Sequence, residues 1–384
     1  MSRQTTIRLR VGMHTTVGPR CGIAAYTRAL SAALAPHAEI TTVPIHPGTL
    51  NPVGVLVAGL RLGRHDVAHI QHTYSFFGID PLTYTILVRL LLGSIRAPLV
   101  LTGHTVREPG PHRYNGGLGS RLANALQAPT WHDLETFRRA NLVIVHAQLH
   151  RERLVSRGLP PDRCRVIPPG VPARIPVSAS ALGAFRARYG LGGSPVVGVF
   201  GFLERSKRFA DVVEAVRTAF GPGPDAPMLL VAGGPRLPAH ESLAAEIRQA
   251  AADAGLTDRI VITGYLEPAD VPVALEAMDV VVVPYATDHS VPYSLHVALA
   301  QGRPVVATDL PAMCEIQERG QCLALARPDD PIALAEALGT LVQDEAARRR
   351  LSDAATAYAE AEGVAVAAAR TLEAYAAARE VRGG

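Results

Sequence analysis

Short apolar runs alternate with helix-spaced apolar positions along nearly the whole chain. Residues 7–11 form a β-branched and apolar run that ends at Gly12. From there Ile23, Tyr26, Leu30 and Leu34 fall on one face of a helix. Residues 40–43, 67–70, 99–101 and 142–145 are further buried-strand candidates. The pattern breaks at Pro168-Pro169-Gly170 and Pro172, and no clear strand follows until Ser194. The alternation then restarts. Residues 196–200, 228–232, 260–262, 280–283 and 305–308 read as strands, and Phe209, Val212, Val213, Val216 and Phe220 share a helix face. From Pro331 the chain is Ala-rich and helical, with Gly363 as a break.

Strands that alternate with helices build parallel sheets with crossover connections. The pattern therefore predicts an α/β protein of two Rossmann-like, doubly wound domains facing a central cleft. The boundaries it suggests are an N-terminal domain over 1–170, a linker over 171–194, a second domain over 195–362, and a C-terminal helix over 363–384 that packs back on the first domain. A length of 384 residues suits two domains, and an apolar content of 48% allows a core in each.

Composition removes several function classes. The formal charge is +4 with the cations scattered, which does not indicate nucleic-acid binding. Cys21, Cys164, Cys314 and Cys322 form no C-x-x-C pair, so a reduced, cytoplasmic compartment is expected. The first residues lack an apolar signal core. The longest apolar run, 82–95, contains Arg89; it is too short to span a membrane and reads as a buried helix. Arg151, Arg153 and Arg157 read as one solvated helix face; the same face leaves peripheral membrane association open but does not indicate it.

Lys207 is the only lysine among 38 basic residues. Its segment, Gly201 to Arg208, leads from a strand into a helix, where a doubly wound sheet holds anions. A compact ammonium there suits a diphosphate, with Arg205 and Arg208 beside it. In the first half, residues 11–23 also lead from strand to helix, and Gly22 would let a phosphate approach the backbone. That loop is not G-x-G-x-x-G, which speaks against a nicotinamide site. Eleven of the fourteen histidines precede residue 151. His14, His72, His104 and His112 fall at or beyond strand ends. His69 and His72 point to opposite sides of a strand, and His146 with His150 reads as a solvent-facing helical pair without a third ligand. No D-x-D motif appears, so no metal site is expected. The polar, Gly-rich loop 107–120 reads as a lid.

The segments GPRCGIAAYTRAL at 18–30, HIQHTYSFFG at 69–78, VLTGHTV at 100–106 and VIVHAQLHRERLVSRGLPPDRCRVIPPGVP at 143–172 carry a resemblance. GVFGFLERSKRFADVVEAV at 198–216, LLVAGG at 229–234, VITGYLEPADVPVALEAMDVVVVPY at 261–285 and ALAQGRPVVATDLP at 298–311 continue it in order. The chain resembles the GT-B-fold, nucleotide-sugar-dependent glycosyltransferases of the large retaining family four. The resemblance implies that Gly22 meets the donor phosphate, that Lys207 neutralises the diphosphate, and that the backbone of Gly264, Tyr265 and Leu266 reads the base. It implies that His104 stands at the reacting sugar. It also implies no cofactor beyond the nucleotide sugar.

Three positions depart from the family. Phe202 stands where an arginine commonly follows the phosphate-loop glycine, with Arg205 the nearest substitute. His289 and Val297 hold the places of two common glutamates. Pro292, which has no N–H, replaces a glycine between them. Asp288, His289, Ser290, Tyr293 and Ser294 are the polar residues left for the ribose. The leading reading is a metal-independent, retaining transfer of a sugar from a nucleoside diphosphate to an acceptor hydroxyl. The acceptor would be a small polar molecule or a glycan, near His14, His72 and Tyr74. The alternatives are another GT-B enzyme, such as a nucleotide-sugar epimerase or a phosphorylase, and a catalytically weak partner subunit.

Overall fold

The computed structural model describes residues 8–48, 51–78, 81–108, 121, 131–235 and 240–381. The chain divides into two compact units. The first takes in Met1–Pro169, His289–Val291 and Val364–Gly384, and the second Gly170–Asp288 and Pro292–Gly363.

The first unit is built on a six-stranded parallel sheet of order β2-β1-β3-β4-β5-β6. Its strands are β1 (Leu9–Thr16), β2 (Ala38–Ile45), β3 (Val67–His72), β4 (Leu99–Gly103), β5 (Leu142–Val145) and β6 (Cys164–Val166). The helices are α1 (Gly22–Leu34), α2 (Pro52–Leu62), α3 (Pro81–Ser94), α4 (Trp131–Arg138) and α5 (Gln148–Ser156). Strand β1 runs past Gly12, where the pattern predicts its end. A Cβ at Gly12 would lie 2.8 Å from His65 Nδ1, so this glycine serves close packing and not a turn. The chain leaves β1 for β2 on one side and returns to β3 on the other. The carboxyl ends of β1 and β3 therefore form a topological switch point.

The second unit has a six-stranded parallel sheet of order β12-β11-β10-β7-β8-β9. Its strands are β7 (Val196–Phe200), β8 (Met228–Ala232), β9 (Ile260–Ile262), β10 (Val280–Val283), β11 (Val305–Thr308) and β12 (Leu323–Ala326). Valines dominate β7, β10 and β11, as expected for strands covered on both faces. The helices are α6 (Ala179–Arg188), α7 (Phe209–Phe220), α8 (Leu243–Asp253), α9 (Val271–Glu276), α10 (Tyr293–Ala300), α11 (Pro311–Gly320), α12 (Pro331–Gln343) and α13 (Glu345–Ala361). Here the switch point lies between β7 and β10. The stretch expected as a linker carries α6, whose first turn is capped by Ser178 Oγ accepting from the Ala181 N–H at 3.2 Å. That stretch groups with the second unit.

The chain breaks at Gly363 and ends in α14 (Val364–Glu380), which belongs to the first unit. Its buried face is Ala367, Ala368, Thr371, Ala374, Tyr375 and Ala378. Small residues let it approach α1 and the sheet closely, with Tyr375 as the one large side chain.

Three surface expectations are corrected. Helix α3 is not buried all round, since Leu82, Ile86 and Leu90 face solvent. Arg153 is buried and pairs with Glu108 at 2.7 Å, so it does not share a solvated face with Arg151 and Arg157. His146 and His150 are both buried rather than solvent-facing, because His146 ends the sheet layer before α5 begins.

Candidate functional site

In the second unit the loop after β7 enters the switch point. Gly201 adopts φ +113, a region that side chains rarely tolerate. A Cβ there would lie 2.5 Å from Lys207 Nζ and 3.7 Å from Ser294 Cβ. Leu203 then pins the loop, its N–H donating to the Gly234 carbonyl at 2.9 Å. A single 3-10 turn over Arg205–Lys207 follows, and Arg208, at φ 33, ends it before α7. This turn carries Lys207 inward. Its side chain is only 3% exposed, and Nζ donates to the Phe200 carbonyl at 3.2 Å. The Tyr285 ring, just after β10, lies 5.8 Å from the ammonium. An ammonium held among backbone groups in this way is a preorganised partner for an anion.

The neighbouring loops meet this one through backbone. A Cβ on Gly233, after β8, would overlap the Gly201 carbonyl oxygen, and one on Gly234 would lie 2.7 Å from the Tyr265 nitrogen. Gly264, at φ +73, makes the turn after β9 with open space around it. Tyr265 is half-buried and Leu266 is buried. Helix α10 begins at Tyr293, and Ser294 in its first turn adjoins Gly201, so a helix N-terminus faces the same loop. Lys207, Gly201, Ser294, Gly264 and Tyr265 thus gather at the carboxyl end of one sheet.

Arg205 does not join them. Its guanidinium is exposed and grips Glu246 bidentately, at 3.1 and 3.0 Å. The pair holds Arg205 on the flank of α8, so the substitute charge expected there is committed elsewhere. Arg208 pairs with Asp211 and Asp329. His289 and Ser290 belong with the first unit, where the Val106 N–H donates to the His289 carbonyl at 2.9 Å.

In the first unit Gly22 is the first residue of α1. A Cβ on it would meet nothing within 4 Å, so the helix N-terminus is open there. Cys21 caps the helix with no side-chain bond to its first turn. His14 lies within β1, not beyond it. It is buried, its Nδ1 donates to the Val43 carbonyl at 2.8 Å, and burial lowers its pKa to about 4. His72 ends β3, stacks on Phe77, and bonds the Tyr84 hydroxyl through Nε2 at 2.8 Å. Tyr74 is half-buried, with the Arg107 guanidinium 4.2 Å above its ring. His112 and most of the loop 107–120 lie outside the described residues.

His104 follows β4 and meets partners that sequence reasoning missed. The register Gly103↔Val145↔Val166 sets His104, His146 and Ile167 side by side at the strand ends. His104 Nδ1 lies 3.2 Å from His146 Nε2, and His146 Nδ1 lies 2.8 Å from the Ile167 carbonyl. On the other side His104 Nε2 is 2.7 Å from the Gln71 carboxamide. Gln71 in turn meets His69 Nε2 at 3.2 Å, and His69 Nδ1 is 2.7 Å from the Tyr375 hydroxyl.

The end of this row fixes its protons. The Ile167 carbonyl only accepts, so His146 Nδ1 is protonated. A neutral His146 then accepts at Nε2 from His104 Nδ1–H, which leaves His104 Nε2 an acceptor. Gln71 satisfies it by turning its NH2 toward His104, since amide O and N exchange by a half turn. His69 Nε2–H then donates to the Gln71 oxygen and Thr102 Oγ1, and Tyr375 O–H donates to His69 Nδ1. The opposite amide orientation would place an imidazolium at buried His146, against desolvation. Burial is also the main cause that holds His104 well below its ordinary pKa, with the neighbouring His146, His69 and His72 adding to it. Both ring nitrogens of His104 are therefore engaged inside the unit. Residues 69, 71, 146 and 375 gave no sequence signal beyond the histidines themselves, because the row depends on strand register and on a helix 306 residues away.

Comparison with known proteins agrees with this architecture. The model for glycosyl transferases group 1 matches residues 194–344, and that for glycosyltransferase family 4 matches residues 29–174. A 2-deoxystreptamine glucosyltransferase of Streptomyces kanamyceticus is 30% identical over 184 residues, covering 47% of this chain and 46% of that protein. A D-inositol 3-phosphate glycosyltransferase of Xylanimonas cellulosilytica is 31% identical over 229 residues, covering 58% and 53%. The chain thus spans about half the length of the curated relatives it matches. Among solved structures, Anabaena HepE in complex with UDP-glucose superposes with a TM-score of 0.71 at 19% identity, over 95% of this chain and 100% of that one. Sucrose-phosphate synthase of Thermosynechococcus elongatus gives 0.72 at 18%, over 96% and 98%. At such identities the likeness is one of fold. With one family model on each unit and two parallel doubly wound sheets, the chain belongs to the GT-B-fold group 1 glycosyl transferases of the family-four type.

Proposed function

We propose that this chain moves a sugar from a nucleoside diphosphate to a hydroxyl of a small polar acceptor or glycan, with retention of anomeric configuration. The observation that carries this reading is Lys207, a buried ammonium at the β7/β10 switch point beside the first turn of α10. Sugar transfer builds negative charge on the departing diphosphate, and a preorganised cation and helix N-terminus lower that barrier. The turn at Gly264 and Tyr265 is suited to base contacts by its backbone. Gly22, at the open N-terminus of α1, is the corresponding backbone contact for phosphate in the first unit.

In this reading the departing phosphate oxygen takes the acceptor proton on the same face of the sugar, and the ammonium supplies the charge that a metal would otherwise supply. The reaction therefore needs no metal and no cofactor besides the donor, and chelation leaves its rate unchanged. His104 acts as a neutral positioning group and not as a general acid or base. Freeing either ring nitrogen would break a buried hydrogen bond, at a cost of about 1–3 kcal/mol. Two relatives are named for small polar compounds, 2-deoxystreptamine and D-inositol 3-phosphate, which favours a small polar acceptor over a lipid. The UDP-glucose complex of HepE makes uridine donors the first to test.

The test is a thermal-shift screen of UDP, GDP, ADP and TDP sugars, followed by nucleoside diphosphate release with pooled acceptors. The reading expects one nucleotide to raise the midpoint by several degrees, no such rise in Lys207→Ala, and release that depends on acceptor. No shift and no release with any donor would instead favour a catalytically weak partner subunit.

A further inference from the structure

The helical layer of α2 and α3 turns an apolar side to solvent. On α2, Val53, Leu56, Val57 and Leu60 are exposed, Val53 at 70% and Leu60 at 50%. They share one arc, opposite the buried Val55, Gly59 and Leu62. On α3, Leu82, Ile86 and Leu90 are exposed at four-residue spacing, Leu82 at 55%. The two connections β2→β3 and β3→β4 step across the sheet in one direction, so right-handed crossovers put both helices on the same sheet face. Gly59 brings them together: a Cβ there would overlap Ser94 Oγ and lie 2.7 Å from the Leu91 carbonyl oxygen. The two stripes are therefore neighbours, and seven large apolar side chains in adjacent rows are more than scattered surface exposure.

Every charge on the two helices themselves is an arginine, and the carboxylates beside them, Glu39 and Glu135, come from neighbouring elements. Neither helix contains Asp or Glu. Exposed Arg61 and Arg64 continue the arc of α2, and exposed Arg89 lies within the arc of α3. Arg61 and Arg64 also line a concavity of about 380 Å³ with Arg10, Thr41 and His65, in which Glu39 is the lone carboxylate. Aliphatic rows rimmed by arginines match the headgroup–acyl boundary of an anionic bilayer. A second copy matches less well, because a twofold contact sets the arginines of one face toward those of the other. Among the described residues no helix is long and apolar enough to cross a membrane, so contact through this face is peripheral.

We propose that the α2/α3 face docks on an anionic phospholipid surface, with its leucines, isoleucine and valines at the acyl boundary and Arg61, Arg64 and Arg89 on lipid phosphates. The proposal rests on these exposed side chains and is independent of the transfer reaction.

Co-sedimentation of the full chain with vesicles tests it, using phosphatidylcholine alone and phosphatidylcholine with about a quarter phosphatidylglycerol. Binding is expected to the anionic vesicles, weaker to the neutral ones, and to fall as salt rises. Arg61→Gln and Arg64→Gln should each weaken it about fivefold, and Leu56→Gln, Leu60→Gln and Ile86→Gln together should abolish it. The arginine variants decide the matter if the triple variant misfolds. No binding to either vesicle, or binding unchanged in the variants, overturns the proposal. A dimer in sedimentation velocity that Leu56→Gln and Leu60→Gln convert to monomer also overturns it and assigns the face to a second copy.

Discussion

Tyr375, in the last helix, sets its hydroxyl 2.7 Å from Nδ1 of His69, a residue on the third strand of the first sheet. Both side chains are fully buried, and the bond closes the row that ends at the Ile167 carbonyl. Tyr375→Phe keeps the ring and leaves His69 Nδ1 without its donor. A loss of about 1–3 kcal/mol in urea unfolding is expected. An unchanged midpoint would mean that the row is not a stabilising network.

The buried histidines give stability a pH dependence of known sign. Burial lowers the pKa of His14 to about 4, of His69 to about 3 and of His296 to about 4, and it lowers His104 well below its ordinary value. The unfolded chain binds these protons below about pH 6.5, and the folded chain refuses them. Their contribution is therefore complete above that pH. It declines by up to about 1.4 kcal/mol per pH unit for each histidine as pH falls toward the folded values. Urea midpoints at about pH 7.5 and about pH 5 should differ strongly, with the acidic one lower. Equal midpoints would contradict the neutral, buried assignment.

The first-unit and second-unit strands were largely legible. Residues 196–200, 228–232, 260–262, 280–283 and 305–308 form β7 to β11 as their apolar runs suggest. The edge strands β6 and β12 are not visible in the pattern, because Cys164–Val166 is three residues with an arginine at its centre and Leu323–Ala326 is four residues with none that is β-branched. Gly12 misled the reading of β1 because a glycine needed for packing looks the same in sequence as one needed for a turn. Lys207 stands out by composition, and it lies buried in the strand-to-helix loop where the sequence places it. Sequence does not show that Arg205 pairs with Glu246, 41 positions on, or that Gln71 sits between Met13 of β1, His69 of its own strand and His104 after β4.

Arg205 and Lys207 are two residues apart and should behave differently. Arg205 and Glu246 form an exposed pair that solvent screens, so it adds little to stability. Arg205→Gln is expected to change nucleoside diphosphate affinity by less than about twofold, since the side chain points along α8. A loss comparable to that of Lys207→Ala, measured by titration calorimetry, would return Arg205 to the phosphate site.

Gly201 supports Lys207 by having no side chain. Alanine there would be held at φ +113 with its Cβ 2.5 Å from Nζ. Gly201→Ala should lose about 1–3 kcal/mol of stability through backbone strain alone. Because the ammonium must also move, donor affinity should drop by more than the stability loss explains. Binding at the parental level in a folded Gly201→Ala protein would show that the position of Nζ is not critical.

In the proposed reaction the buried ammonium of Lys207 is the diphosphate's partner. The direct test is calorimetric titration of the stabilising nucleoside diphosphate into the parent chain and into Lys207→Ala, with folding of both verified. Loss of one preorganised charge contact of about 3 kcal/mol should weaken binding roughly a hundredfold. Equal affinity for the two proteins would contradict it.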